Sequence, residues 1–565
     1  MSTTDRGDLT RIAPPSATEP GVPRPRSAAP GIPPTDSPVA GPRRRGPRLL
    51  AWALGLAALC TLLVRISLSE GMDSDAANKA LQGWDLLHGH VLLHGWITGD
   101  ATFYALESPV CALVEAFIGL TPLVMHIEPA LVYMLVLGFG VLLGRGAATG
   151  WAAVLRAATV AAILLVPLAS PYGVSLLLEQ PDHIGTSVFL LALFLLIDRA
   201  DRLRPWWLAP AGVLLLCTAG ILSDDTVKYV GVPAIMLVCG LKVLSTRRLR
   251  SRDTAILVAA YAAVKVERYV RDVMHMLSGY WMTKPATKIA PSPTWPSHLH
   301  RTLRAVAALY GLFFNVSPVF AVLGGCALAA ASVGFVRVLW LWRGRATRGE
   351  LLCVAGILLN LAVYTLSVAH TPIPAHEIAA VLPLGAMLAA RCVSPAWAWW
   401  QTAARRVCVV MAVAVAAPLA VSAVRAPQSP IPTAPPLTLA SWLSGHGLHY
   451  GIAGYWDAST LTVDSGGRVA VRAVVRGRHG FSMYGWETRT DWYAASKHDA
   501  TFAVAYDGPT TFGLIDSDKL GSADFEAFLG KPAEVYRVDG RTVLVYRGNL
   551  LDHVAAWLPP RYKRQ

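Results

Sequence analysis

Apolar runs close to the length of a bilayer crossing recur along this chain, and they restrict its fold more than any other feature. They lie at 49–68 and near 110–125, 129–144, 151–168, 184–198, 206–222, 229–244, 253–266, 316–340, 351–369, 375–391 and 407–424. A helix needs about 20 such residues to cross the hydrocarbon. Backbone groups inside a bilayer must satisfy one another, so runs of this kind are helices. Hydrophobic residues make up 54% of the chain and charged residues only 15%, against about 25% charged in soluble domains. The fold class is therefore a polytopic α-helical membrane protein. The net charge of +14 is mostly Arg in short clusters between the runs. The preference of Lys and Arg for cytoplasmic loops explains these clusters better than nucleic-acid binding does. The Cys residues, at 60, 111, 217, 239, 326, 353, 392 and 408, lie in or beside apolar runs. They read as small core residues, not as a disulfide framework or a zinc site.

The order of segments gives a topology. Residues 1–47 are rich in Pro, Ser, Thr and Arg and are expected to be a disordered cytoplasmic tail. The run 49–68 is long for a signal peptide and lacks a small-x-small cleavage site, so it reads as an uncleaved first span. It opens a membrane domain expected over 48–424, with a large first external loop at 69–109. The clusters Arg199/Arg202/Arg204, Arg247/Arg248/Arg250/Arg252, Arg343/Arg345/Arg348 and Arg405/Arg406 all call for cytoplasmic loops. From Arg199 onward the parity places 223–228, 267–301, 370–377 and everything past 424 outside. The four runs between 110 and 198 break that parity, so one of them is not a full crossing. The expected total is about 11 spans. Residues 425–565 open on the Pro-rich PQSPIPTAPPLT and continue with short alternating strands, including EVYRVDGRTVLVY with its Asp539–Gly540 turn. They are expected to form a small extracytoplasmic α+β domain.

The stretch 70–109 is the most informative. It is polar, aromatic and rich in His, and it holds Asp73, Asp75, Asp85, Asp100 and Glu107. Asp75, Asn78, Lys79 and Gln82 recur at i, i+3, i+4 and i+7, while Ala77, Ala80, Leu81, Trp84 and Leu87 form the other face. This is the pattern of an interfacial helix. It also fits a surface helix with solvated charges and an ordinary Asp75–Lys79 pair. Trp84, Trp96 and Tyr104 are expected to stack on a sugar ring or to sit at the headgroups. Three further external sites carry ionisable groups: Asp182 and His183; Asp224, Asp225 and Lys228; and the basic loop with Arg268 and Arg271. Each also reads as a turn, a cap or a solvated surface. Gathered on one side, carboxylates beside basic groups suit an anionic, lipid-linked substrate. His88, His90 and His94 do not specify a metal site. There is no GxxxxGK[ST] loop and no GxSxG elbow, so ATP hydrolysis and serine-hydrolase chemistry have no support in the sequence.

In this layout the chain resembles the GT-C superfamily of membrane glycosyltransferases, of the protein mannosyltransferase and aminoarabinose transferase type. The likeness runs from residue 49 through most of the chain: a first span, an acidic first external loop, many further spans and an external C-terminal domain. GIAGYWDASTLTVDSGGRVAVRAV also looks like the external end of actinobacterial proteins of this layout. The resemblance implies a donor sugar on a polyprenyl phosphate, not on a nucleotide. It also implies an early loop Asp that acts at the acceptor or at a metal. Asp73 or Asp75 is the match, and the family's Asp-Glu pair is absent because Ala76 follows Asp75.

The expected function is transfer of a sugar from a polyprenyl phosphate to an extracytoplasmic glycan or protein. Asp75 or Asp73 would be the base. Lys228, Arg268 or Arg271 would stabilise the leaving phosphate. Asp182, His183, Asp224, Asp225, Trp96 and Glu107 would bind substrate, and the carboxylates could hold a divalent cation. A flippase for lipid-linked glycan and an envelope scaffold are the rival readings.

Overall fold

The computed structural model of the chain describes residues 46–68, 71–99, 101–179, 183–283, 288–312, 318–341, 346–367, 375–393, 406, 435–477, 480–508 and 520–556. The tail 1–45, Asp100, Asp182 and the run 407–424 lie outside these residues. The chain divides into two compact units, Met1–Gly55 and Leu56–Gln565. The described residues of the first unit, 46–55, are helical.

The helices follow the apolar runs. In order they are α1 (Gly46–Ser67), α2 (Ser74–Leu87), α3 (Glu107–Ile118), α4 (Pro122–Arg145), α5 (Gly150–Leu165), the short α6 (Pro171–Val174), α7 (Ile184–Asp198), α8 (Leu208–Ser223), α9 (Val232–Thr246), α10 (Arg252–Met276), α11 (Trp295–Leu309), α12 (Pro318–Leu341), α13 (Arg348–Leu366) and α14 (Val381–Arg391). Among the described residues, four helical stretches are long and apolar enough to cross a membrane: Pro122–Arg145, Val227–Thr246, Pro318–Leu341 and Arg348–Leu366. The shorter apolar helices Trp52–Ser67, Gly150–Leu165, Ile184–Asp198 and Leu208–Ser223 accompany them. A single apolar core joins α4, α5, α7 to α10, α13 and α14.

The first of the four runs between 110 and 198 does not form one helix. α3 ends at Gly119, whose φ is +72°, and Pro122 starts a new helix. At 1.5 Å per residue the 12 residues of α3 span about 18 Å, short of the ~30 Å hydrocarbon. It is the shortest of the helices these four runs form. It packs on α2, where a Cβ at Gly83 would lie 2.5 Å from Cys111 Cβ. The expected loop 267–301 is also partly helix: α10 runs on to Met276, which places Glu267 and Arg271 on a rigid helix.

One end of the bundle is tied by Arg. Arg391, at the C-terminus of α14, pairs with Asp198 of α7 at 2.7 Å and donates to the Leu143 carbonyl of α4. Arg348, at the start of α13, pairs with Asp201 at 2.6 Å and Asp253 at 3.0 Å. Arg156 donates to the Val393 carbonyl at 2.8 Å. Chain direction places the N-terminus of α7, the C-terminus of α8 and the far half of α10 at the opposite end, and the Ser223–Glu107 hydrogen bond brings the start of α3 there.

Residues 435–556 contain a seven-stranded sheet of order β10-β5-β4-β3-β7-β9-β8. Its strands are β3 (Tyr450–Ala453), β4 (Ala470–Arg476), β5 (Phe481–Met483), β7 (Phe502–Ala505), β8 (Glu534–Val538), β9 (Arg541–Val545) and β10 (Val554–Ala555). β3 pairs in parallel with β4 and β7, and the helix Tyr455–Asp464 makes the crossover from β3 to β4. The hairpin β8–β9 turns at Asp539 and Gly540, with φ of +46° and +75°, as its DG dipeptide predicts. Neighbouring residues such as Phe502 and Ala503, or Val543 and Leu544, enter opposite cores, so both faces of the sheet are covered. A second sheet joins distant parts of the chain. β1 (Trp96–Thr98) pairs in parallel with β2 (Trp281–Met282) and antiparallel with β6 (Thr488–Arg489).

Candidate active site

Asp73 sits in extended backbone before α2, and its Oδ1 accepts the Ala76 N–H at 3.0 Å. It is the helix N-cap, which suits its residue type and its position. Asp75 follows in the first turn. The polar face of α2 is not solvated as the surface-helix reading expects: Ser74, Asn78, Lys79 and Gln82 are buried. The helix Tyr455–Asp464 covers it. The Tyr455 hydroxyl donates to Asp75 Oδ1, Asn78 Nδ2 donates to the Tyr455 hydroxyl oxygen at 3.3 Å, and Ser459 donates to Asn78 Oδ1 at 2.6 Å. Further along α2, Gln82 donates to Glu487 at 2.7 Å, and Glu487 also accepts the Gly99 N–H at 2.9 Å. Arg489 and the Trp96 indole N–H both bond Asp85, at 2.8 and 2.7 Å. Burial, and next the Asp75 carboxylate, hold the Tyr455 phenol well above its ordinary pKa.

A second cluster lies one turn away along α2. Lys79 is buried, with its ammonium 4.7 Å from the centre of the Phe103 ring. Glu107, at the start of α3, is buried and is pushed up to about 8, first by burial and then by the nearby Glu128. The backbone N–H at its helix start and the charge of Lys79 oppose that rise. Ser223 donates to Glu107 at 3.3 Å. Gly185 makes room for the carboxyl, since a Cβ there would lie 1.8 Å from Glu107 Oε1.

Asp224 caps α8 beside it. It accepts from His183 Nδ1 at 2.7 Å, from the Thr186 hydroxyl, and from the Thr226 N–H at 2.7 Å. Burial alone would raise its pKa; the His183 charge and these hydrogen bonds outweigh it and hold the carboxyl below its ordinary range. His183 bridges onward, with Nε2 3.7 Å from Glu377, and its ring stacks on His376. Arg271 completes the row: it is paired with Glu267 one turn back on α10 and with Asp225 at 3.6 Å.

Of the residues expected at a site, the structure brings together Glu107, His183, Asp224, Asp225 and Arg271, with Asp73 and Asp75 at the start of the neighbouring α2. Asp182 is outside the described residues. Lys228 is half-buried, 5.4 Å from the Tyr229 ring, and Arg268 is exposed on α10. Trp96 corrects its expectation. It is 1% exposed, in a strand paired on both sides, and packs edge-on against Trp492 at 5.1 Å, so it cannot present a face to a sugar or to headgroups. Asp224 and Asp225 turn to different partners, so the two do not form a joint cation-binding pair. Among the described residues no three His, Cys, Asp or Glu side chains converge as a metal site. The sequence reading missed Thr186, Glu128, Glu377, Tyr455 and Glu487. Glu128 carried a usable signal, as a carboxylate inside the apolar run VMHIEPALVYM.

No protein-family profile and no curated protein sequence matches the chain. Its structure is similar to solved ones. ArnT from Cupriavidus metallidurans bound to undecaprenyl phosphate superposes with a TM-score of 0.52 at 13% identity, over 87% of this chain and 98% of that one. The apo state of that protein gives 0.50 at 14% identity, over 90% and 100%. An oligosaccharyltransferase from Archaeoglobus fulgidus gives 0.45 at 13%, over 80% and 67%. The chain has a GT-C-like membrane fold.

Proposed function

We propose that the chain is a membrane glycosyltransferase that moves a sugar from a polyprenyl-phosphate donor to an acceptor hydroxyl outside the cytoplasm. The observation that carries this reading is the row Glu107–His183–Asp224–Arg271 beside Asp75. Buried acid, base and cation are concentrated at one end of a fold that, in ArnT, binds undecaprenyl phosphate. Lys and Arg favour the cytoplasmic side, so the Arg-tied end faces the cytoplasm and the acidic end and the C-terminal domain face out.

In the reaction the acceptor oxygen attacks the anomeric carbon and the bond from that carbon to the phosphate oxygen breaks, with inversion. Asp75 takes the acceptor proton. Asp73 is the N-cap of α2, whereas Asp75 lies in the first turn and meets the C-terminal domain through Tyr455; the base role is assigned to Asp75. The lipid phosphate leaves with the bonding electrons. Arg271 is neutralised by Glu267 and Asp225, whereas among the described residues Lys228 and Arg268 have no carboxylate partner and can meet the phosphate. The test is reconstitution in vesicles with a panel of labelled polyprenyl-phosphate hexoses and pentoses and envelope glycan as acceptor. A transferase forms a labelled glycoside, and Asp75→Asn abolishes it while leaving insertion intact. Movement of the lipid without a new glycosidic bond, or no response to any donor, overturns the reading.

A further inference from the structure

Asp75 and Tyr455 are 380 residues apart in the chain, yet they share a hydrogen bond at the centre of the proposed site. We infer that Tyr455 is a positioning residue for Asp75, and that the C-terminal domain thereby completes the active site instead of merely covering it. This rests on the reading of Asp75 as the base.

The phenol is held from every side. Gly454 is extended, so the helix begins at Tyr455 and the side chain leaves its first turn toward α2. The Tyr455 carbonyl accepts from the Ser74 hydroxyl. Its ring stacks on Tyr484 with centroids 4.5 Å apart and meets Trp456 edge-on at 5.0 Å. Asn78, itself fixed by Ser459, donates to the phenol oxygen. With that lone pair occupied, the phenol's one proton points at Asp75 Oδ1.

A donor aimed at a carboxylate favours the ionised form and fixes the orientation of the group. Among the described residues, the charged groups around the Asp75–Tyr455 pair include Asp73 and Glu487, which both act on the phenol, and Lys79 one turn along α2. Asp73 and Glu487 disfavour a second negative charge, and Tyr455 and Lys79 oppose them. A purely structural Tyr455 would hold α2 to the C-terminal domain without affecting proton transfer.

The test compares Tyr455→Phe with Arg489→Met in the full chain, in nanodiscs, using the donor found active in the panel above. Loss of the phenol donor should move the acidic limb of the rate profile upward by about one pH unit. Arg489→Met, which loosens the same α2 contact at Asp85 without touching Asp75 or the groups that hold the phenol, should leave that limb in place. If Tyr455→Phe does not fold, a 3-fluorotyrosine at 455 keeps the ring and strengthens the donor, and the limb should then move down. An infrared titration of the Asp75 carboxyl band, assigned by its absence in Asp75→Asn, gives the same answer without turnover. An unmoved limb and band, with Asp75→Asn inactive, overturns the Tyr455 role and leaves the base assignment standing. An active Asp75→Asn overturns the base assignment, and the Tyr455 role falls with it.

Discussion

Replacing Glu107 with Gln tests the electrostatics of the cluster. The carboxyl moves from an ordinary value of 4.5 to about 8 in the fold, so the native state holds its proton more tightly than the unfolded state does. Below pH 4.5 both states are protonated and stability is independent of this group. Between 4.5 and 8 the unfolded chain releases the proton and the native chain keeps it, so native stability falls as pH rises. Above 8 both are ionised and the loss levels off. The full span corresponds to at most about 5 kcal/mol, at 1.36 kcal/mol per unit. Gln is neutral throughout, has nearly the same shape and can still accept from Ser223. The Glu107→Gln protein should therefore match the wild type near pH 5 and gain on it steadily toward pH 8. Thermal unfolding of both proteins in one detergent across that range measures the difference. Parallel curves from pH 5 to 8 would refute a protonated, buried Glu107.

Other perturbations have equally definite outcomes. Gly185→Ala places a methyl 1.8 Å from Glu107 Oε1, and the forced shift should cost about 1–3 kcal/mol in denaturant unfolding. Asp224→Asn deprives buried His183 of its anionic partner and should cost about 1–3 kcal/mol near neutral pH. Because the Asp224 carboxyl is held below its ordinary 3.8, its contribution is present above that pH and is lost as pH falls through the depressed native value. The variant should therefore lose less stability on acidification than the wild type. Arg391→Met leaves Asp198, 12% exposed, without its ion-pair partner and should lower stability by about 3 kcal/mol, with partial recovery when Asp198→Asn is added.

Features set by local composition or spacing were readable from the sequence. The apolar runs become the helical bundle, the DG dipeptide becomes the β8–β9 turn, and Arg252 and Arg348 meet at Asp201. The Gly119–Pro122 break that shortens α3 was not readable, because apolar windows pass over it. Residues whose role depends on a distant partner were not readable. The face of α2 carrying Asp75 and Asn78 looks solvated until Tyr455 and Ser459 are placed on it. Trp96 looked like a surface aromatic because nothing local announces that β2 and β6 will flank it. His183 and Asp224 were singled out separately, and only the packing of α7 beside α8 joins them.

The sheet β2-β1-β6 draws its strands from near the beginning, middle and end of the chain. Its central member has nothing to pair with on one side until the final quarter has been synthesised and delivered to the same compartment. A prematurely terminated or C-terminally clipped protein would thus lack the last edge that secures the loop after α2. Completion of the proposed site is then a late event in biogenesis.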